Sequence, residues 1–141
     1  MKSLFYFAFI CVVVFGCVSK KSVSTSASSS SANDTVRIAN DELQYEIIII
    51  DAGFNNWFVT RARPRDFYTQ NFLEMRNRSW VSEWNRRALQ PDRYNTQLFD
   101  MQINYDYHTD YGFEVNYMLY NYLTYFQLKN KVQLGGFVPQ I

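Results

Sequence analysis

Four isoleucines in succession, Ile47 to Ile50 within LQYEIIIID, constrain this chain more than any other feature. β-Branched side chains are stiff at χ1 and suit a pleated surface better than a helix, so residues 43–51 are expected to form a strand. Alternation puts Leu43, Tyr45, Ile47 and Ile49 on one face, while Gln44 and Glu46 give way to Ile48 and Ile50 on the other. A strand apolar on both faces reads as a central strand buried between two layers. A second alternation sets Phe99, Met101, Ile103, Tyr105 and Tyr107 against Asp100, Gln102, Asn104 and Asp106, which predicts a half-exposed strand. A short third strand is expected at Lys131 to Leu134, stopped by Gly135-Gly136.

Between these stretches the period changes from two to that of a helix. Gly53 ends the first strand, FNNWFVTR reads as a short helical turn, and Pro64 breaks the chain again. Residues 69–89, TQNFLEMRNRSWVSEWNRRAL, read as a helix with Thr69 as its N-cap and Pro91 just beyond its end. Leu73, Trp80, Val81, Trp84 and Ala88 form one stripe, with Asn77 in its middle. A last helix, Tyr111 to Asn130, directs Val115, Leu119, Tyr122 and Phe126 inward and Glu114, Asn116, Asn121 and Gln127 away from the core. Two amphipathic helices over a small sheet of two or three strands make an α+β domain, expected over residues 37–141.

The N-terminus has a different character. Lys2 precedes an apolar run from Leu4 to Phe15, about a dozen residues, which is signal-peptide length and short of the roughly 20 a spanning helix needs. Val14-Phe15-Gly16-Cys17 resembles the lipobox of bacterial lipoproteins. The resemblance implies a signal peptide over residues 1–16, a diacylglyceryl group on the Cys17 thiol, cleavage after Gly16 and acylation of the new amino terminus. Several acyl chains on one residue exceed what stable membrane anchoring requires. Cys11 falls inside the discarded run, so the mature chain would keep Cys17 alone, with no internal disulfide, Cys-ligated metal or free catalytic thiol.

Residues 17–36 are rich in Ser and carry almost no large apolar side chain, so they read as a flexible tether. A coil of that length reaches roughly 20 to 25 Å. Val18, rather than Asp, follows the cysteine, and no acid comes before Asp34. By resemblance to lipoprotein sorting signals this implies an outer-membrane anchor facing the periplasm. Asp34-Thr35-Val36 is also similar to a bacterial O-glycosylation motif.

A net charge of +1 leaves no nucleic-acid footprint. Eight arginines lie between Arg61 and Arg93 against four acids. Glu74 with Arg78 and Glu83 with Arg87 have the favourable helical spacing for self-pairing. Arg61, Arg63 and Arg65, in RARPR, lack local acids and are the candidates for holding an anion such as a phosphate, lipid headgroup or cell-wall carboxylate. Seven tyrosines between Tyr105 and Tyr125 offer rings for a glycan or protein surface, and Tyr117 and Tyr120 are expected to project toward the polar side. His108, flanked by Asp106 and Asp110, is the single histidine and reads as a solvated loop residue. No nucleophile motif, second histidine for a zinc site or glycine-rich phosphate loop accompanies it, so neither metal nor cofactor is expected. Asp51 reads as a turn or helix cap.

YEIIIIDAGFNNW, NRSWVSEWNRR and QINYDYHTDYGFEVNYMLYNYLTYFQ resemble a group of short Bacteroidetes envelope lipoproteins of uncharacterised function, over nearly all of residues 37–130. The resemblance implies an address and no activity. The expected role is a lipid-anchored binding or accessory subunit for another envelope protein, with glycan as a second kind of ligand, through Arg61, Arg63, Arg65, Tyr117 and Tyr120. The alternatives are a hydrolase or transglycosylase-like enzyme acting on cell-wall glycans through paired carboxylates such as Asp51 or Glu114, and a structural spacer without a ligand.

Overall fold

The computed structural model describes residues 35–139, so the expected signal peptide, Cys17 and the expected tether as far as Asp34 lie outside the described residues. The element order is β1 (Thr35–Asn40), β2 (Tyr45–Ile50), α1 (Phe54–Arg61), a 3-10 turn (Arg65–Phe67), α2 (Gln70–Ala88) and α3 (Gly112–Asn130). The architecture is α+β, as the periodicities predict.

β1 and β2 form an antiparallel hairpin with Thr35 opposite Ile50 and Asn40 opposite Tyr45. The strand that pairs with the isoleucine run is therefore TVRIAN, whose first two residues fall within the expected tether. Asn40 shapes the turn, its Oδ1 accepting from the backbone N–H of Glu42 and Leu43. Only one face of the hairpin is covered, with β1 packed on α3. Ile38, Tyr45 and Ile49 are buried, whereas Ile48 and Ile50 are 59% and 79% exposed. The expectation of a strand buried on both faces is thus corrected, because a two-stranded ribbon with one helical layer has a wet side. Leu43, expected in the strand on the same face as Tyr45, is exposed in the turn.

α3 is the centre of the domain, with α2, α1 and β1 all packed on it. Asn116, Asn121 and Gln127 are consequently buried, where an outward face was expected. Each amide reaches back one turn: Asn116 Nδ2 donates to the Gly112 carbonyl (2.9 Å), Asn121 Nδ2 to that of Tyr117 (2.8 Å) and Gln127 Nε2 to that of Leu123 (3.0 Å). A buried amide that finds a partner on its own helix avoids most of the desolvation cost.

α2 follows the predicted boundaries closely, and Thr69 Oγ1 accepts from the Phe72 N–H at 3.3 Å as the N-cap. Leu73, Trp80, Val81 and Trp84 are buried. The self-pairing also holds, with Glu83 to Arg87 at 2.7 Å and Glu74 to Arg78 at 3.7 Å. Arg86 and Arg87 hold the Glu83 carboxyl down at about 2 from an ordinary 4.5, against the opposing effect of burial. A lowered folded-state pKa contributes stability above 4.5 that is lost as pH falls toward 2. Glu83→Gln is therefore expected to cost about 1 kcal/mol at neutral pH, discounted because Arg86 is solvent-screened. In urea titrations the gap between variant and parent should close across that acidic window; a gap independent of pH would show that charge is not its origin.

The two remaining predicted strands do not form. In residues 98–107 the ladder partner is a side chain: Asn85 Nδ2 donates to the Ile103 carbonyl (2.8 Å) while Asn85 Oδ1 accepts from the Ile103 N–H (2.7 Å). Trp84 Nε1 donates to the Met101 carbonyl at 2.8 Å. Phe99 and Tyr105 are buried, but Met101 and Tyr107 are exposed, so the alternation describes a segment pinned to a helix. At residues 131–134, Lys131 takes a left-handed conformation (φ 53°) as the C-cap of α3. The Val132 N–H donates to the Gln127 carbonyl and the Leu134 N–H to Gln127 Oε1, leaving nothing for a strand to pair with. No helix of the described residues is long and apolar enough to cross a membrane.

Candidate functional site

The loop after α1 carries RARPR, and its three arginines have three different situations. Arg61 is exposed at the end of α1. The Arg63 guanidinium lies 4.3 Å from the centroid of the Phe67 ring. Arg65 is held by Glu114 of α3 through two parallel bonds, Nε to Oε1 at 2.8 Å and Nη2 to Oε2 at 2.9 Å. That pairing raises the Arg65 pKa. Glu114 is far from Arg65 in sequence, so a cluster that lacks local acids has this one arginine paired by an acid from the second half of the chain.

Tyr117 and Tyr120 are 3% and 4% exposed, which corrects their assignment to the polar side. α3 has no polar side at this level, because the loop and α2 cover it. Tyr117 instead donates its hydroxyl to the Arg63 carbonyl at 2.6 Å and holds RARPR from beneath. Tyr120 stacks on Trp80, with ring centroids 5.2 Å apart and planes 18° apart.

These two tyrosines are the floor of a surface made by other rings. Tyr68 sits 5.1 Å from Tyr120 and 6.2 Å from Tyr117, and stacks on Phe72 at 5.7 Å. Phe67, 57% exposed, meets Tyr68 edge-on at 5.1 Å. One helical turn past Phe72, the Arg76 guanidinium lies 5.2 Å from the Phe72 ring and 3.4 Å from the ring of Phe137. Arg63, Phe67, Tyr68, Phe72, Arg76 and Phe137 thus form a continuous band of four rings and two cations, from the α1–α2 loop along α2 to the C-terminal segment. Burial pushes the Tyr68 hydroxyl above the usual phenol range, so it serves as a neutral hydrogen-bonding group. The signal in the sequence was Phe67-Tyr68 beside RARPR, followed by Phe72 and Arg76 four residues apart.

The other candidates are in structural use. Burial raises the Asp51 pKa, but Lys129, the Gly53 N–H and the Tyr125 hydroxyl outweigh it and lower the net value. Asp51 Oδ1 accepts from Tyr125 Oη at 2.8 Å and from Gly53 N at 3.0 Å, and Oδ2 from Lys129 Nζ at 2.8 Å. This carboxylate ties the β2–α1 turn to the end of α3, as the turn reading expects. Lys129 and Glu114 sit near opposite ends of α3, roughly 20 Å apart at 1.5 Å per residue, so Asp51 and Glu114 do not face each other across a cleft. The His108 side chain is 93% exposed and 3.2 Å from Asp106, which matches a solvated loop residue. Among the described residues no group of three His, Cys, Asp or Glu side chains is placed to hold a metal ion.

The family model for a family of unknown function, DUF6146, matches residues 4–139. No curated protein and no solved structure matches the chain.

Proposed function

We propose, for a chain that belongs to the DUF6146 family of unknown function, that it is a lipid-anchored cell-envelope protein whose domain docks another envelope protein through the arginine and aromatic band. The observation that carries the docking reading is the composition and continuity of Arg63, Phe67, Tyr68, Phe72, Arg76 and Phe137. Aromatic residues and arginine are the types enriched where protein partners are held, and Phe67 and Phe137, at 57% and 50% exposed, are not accounted for by core packing. A tethered domain with one such face fits an accessory subunit better than a spacer. The hydrolase reading gains no support, since Asp51 and Glu114 are each committed to a cation.

A photo-crosslinking residue at Phe67 or Phe137 is expected to capture one stoichiometric envelope protein in cells, and the same residue at His108 to capture none. Adducts that do not depend on position, or none from the band, would remove the docking reading. The anchor is tested separately. Cys17→Ala is expected to move the protein from the membrane pellet to the soluble fraction in cell fractionation; a variant that stays in the pellet would mean that acyl chains are not what holds it.

A further inference from the structure

At the C-terminal end of the band lies a recess of about 260 Å³ between α2 and the segment around Gly136 and Phe137, with Phe72, Arg76, Trp80 and Tyr120 in its lining. Phe72, Arg76 and Trp80 follow one another at four-residue spacing, which places them on one face of α2. Arg76 and Trp80 both line this recess, and among the described residues neither side chain's N–H groups have an acceptor. Arg76 touches only rings, and among the described residues no carboxylate lies within ion-pair distance of it. Trp80 is 1% exposed and its Nε1 has no hydrogen-bond partner. The pyrrole edge of Trp80 faces the turn that closes the recess, since a Cβ on Gly135 would stand 3.9 Å from Trp80 Cδ1.

A buried donor left unpaired is costly, and an arginine without a counter-ion beside it adds a positive potential at the same place. The Arg76 guanidinium lies close over the Phe137 ring and more loosely over that of Phe72, neither of which takes up its N–H groups, so these are free for a planar acceptor. One guanidinium edge and one neutral N–H match a singly charged, planar anion; a phosphate dianion needs more donors than are present. The remaining lining is aromatic, with the stacked Tyr120 and Trp80 rings below and Phe137 at the rim. We infer that this recess binds a carboxylate carried on an apolar body, with the carboxylate on the Arg76 guanidinium and the Trp80 indole N–H and the body against the surrounding rings. Its size admits a group no larger than one aromatic residue. The Gly135-Gly136 turn, where Gly135 has φ 110°, is the part that yields for the acceptor to reach Nε1.

The test is an NMR titration of the full chain in detergent, following the indole N–H resonances. The probes are phenylacetate and acetyl-glycyl-phenylalanine as free acids, each against its amide. Both acids are expected to move the Trp80 resonance downfield and leave Trp84, already bonded to Met101, in place; the amides are expected to do neither. Arg76→Gln, on the helix surface and free of ion pairs, is expected to weaken acid binding roughly ten- to a hundredfold. Equal response to acid and amide, no response to either acid, or unchanged affinity in Arg76→Gln overturns the inference. Tighter binding of the peptide identifies the natural source as the chain terminus of a protein, and tighter binding of phenylacetate identifies it as a small free acid. The site lies on the same band but does not need the protein partner, so failure here leaves the crosslinking result standing, and the reverse is also true.

Discussion

Asn116→Ala is expected to destabilise the domain by about 3–4 kcal/mol, from the loss of buried hydrogen bonds plus a small cavity. Asn116 is 0% exposed. Its Oδ1 accepts from the Tyr105 hydroxyl at 2.7 Å and from Asn77 Nδ2 at 3.1 Å, while its Nδ2 donates to the Gly112 carbonyl at 2.9 Å. Asn77 keeps the Asn116 backbone carbonyl as a partner after the substitution, at 3.0 Å. Tyr105 loses the acceptor of its 2.7 Å bond and keeps only Asn77 as a side chain able to bond its hydroxyl, which, with a pKa pushed up to about 12 chiefly by burial, cannot relieve the loss by ionising. For a domain stable by about 5–15 kcal/mol this is a large fraction. The check is the urea midpoint, repeated in a Tyr105→Phe background. There the hydroxyl that would be stranded is already gone, and the cost of Asn116→Ala should fall by about 1–2 kcal/mol. Additive losses would mean that the two side chains do not act as a network.

Trp84→Ala is the second large effect, at about 3–5 kcal/mol. Its ring packs at 5.1 Å from Phe99 and 4.5 Å from Phe126, so it joins α2, α3 and the long connection between them. Its Nε1 also holds the Met101 carbonyl. Trp84→Phe keeps most of the packing and loses the bond, for an expected cost of about 1–2 kcal/mol. Limited proteolysis separates local from global effects. Trp84→Ala should open residues 95–103 to cleavage at denaturant concentrations where Trp84→Phe remains protected, and cleavage distributed evenly over the chain would show that the connection is not held by this side chain.

The parts of this fold that sequence periodicity reveals are those where one apolar face meets one layer. α2 is such a case, and Thr69, Leu73, Trp80, Val81 and Trp84 all stand where the pattern puts them. α3 is not, because a helix covered on every side needs no polar face, and its Asn and Gln residues turn back onto their own carbonyls. The mismatch at residues 98–107 has a similar cause. A side-chain amide has the same donor and acceptor pair as a backbone peptide, so Asn85 stands in for the strand that the alternation predicts. β1 was obscured by its position, since TVRIAN follows directly on low-complexity chain. For the candidate surface, the sequence put Tyr117 and Tyr120 at the wrong depth. Arg63 of RARPR does lie on the band, but Tyr117 and Tyr120 lie beneath it, Tyr68 and Phe72 are half-buried, and Phe67 and Phe137 are the exposed rings. Which ring of a tyrosine-rich helix reaches solvent depends on what covers that helix, and this is a property of the packing, not of the local spacing.

The central place of α3 also governs the order in which the domain can assemble. β1, α1 and α2 each find their core partner in the last helix to be synthesised, and the hairpin alone is too small to be stable in water. A chain emerging from its N-terminus therefore has no complete core to close on until α3 is available. Through most of its synthesis the apolar faces of β1, α1 and α2 are without the surface that covers them in the finished domain.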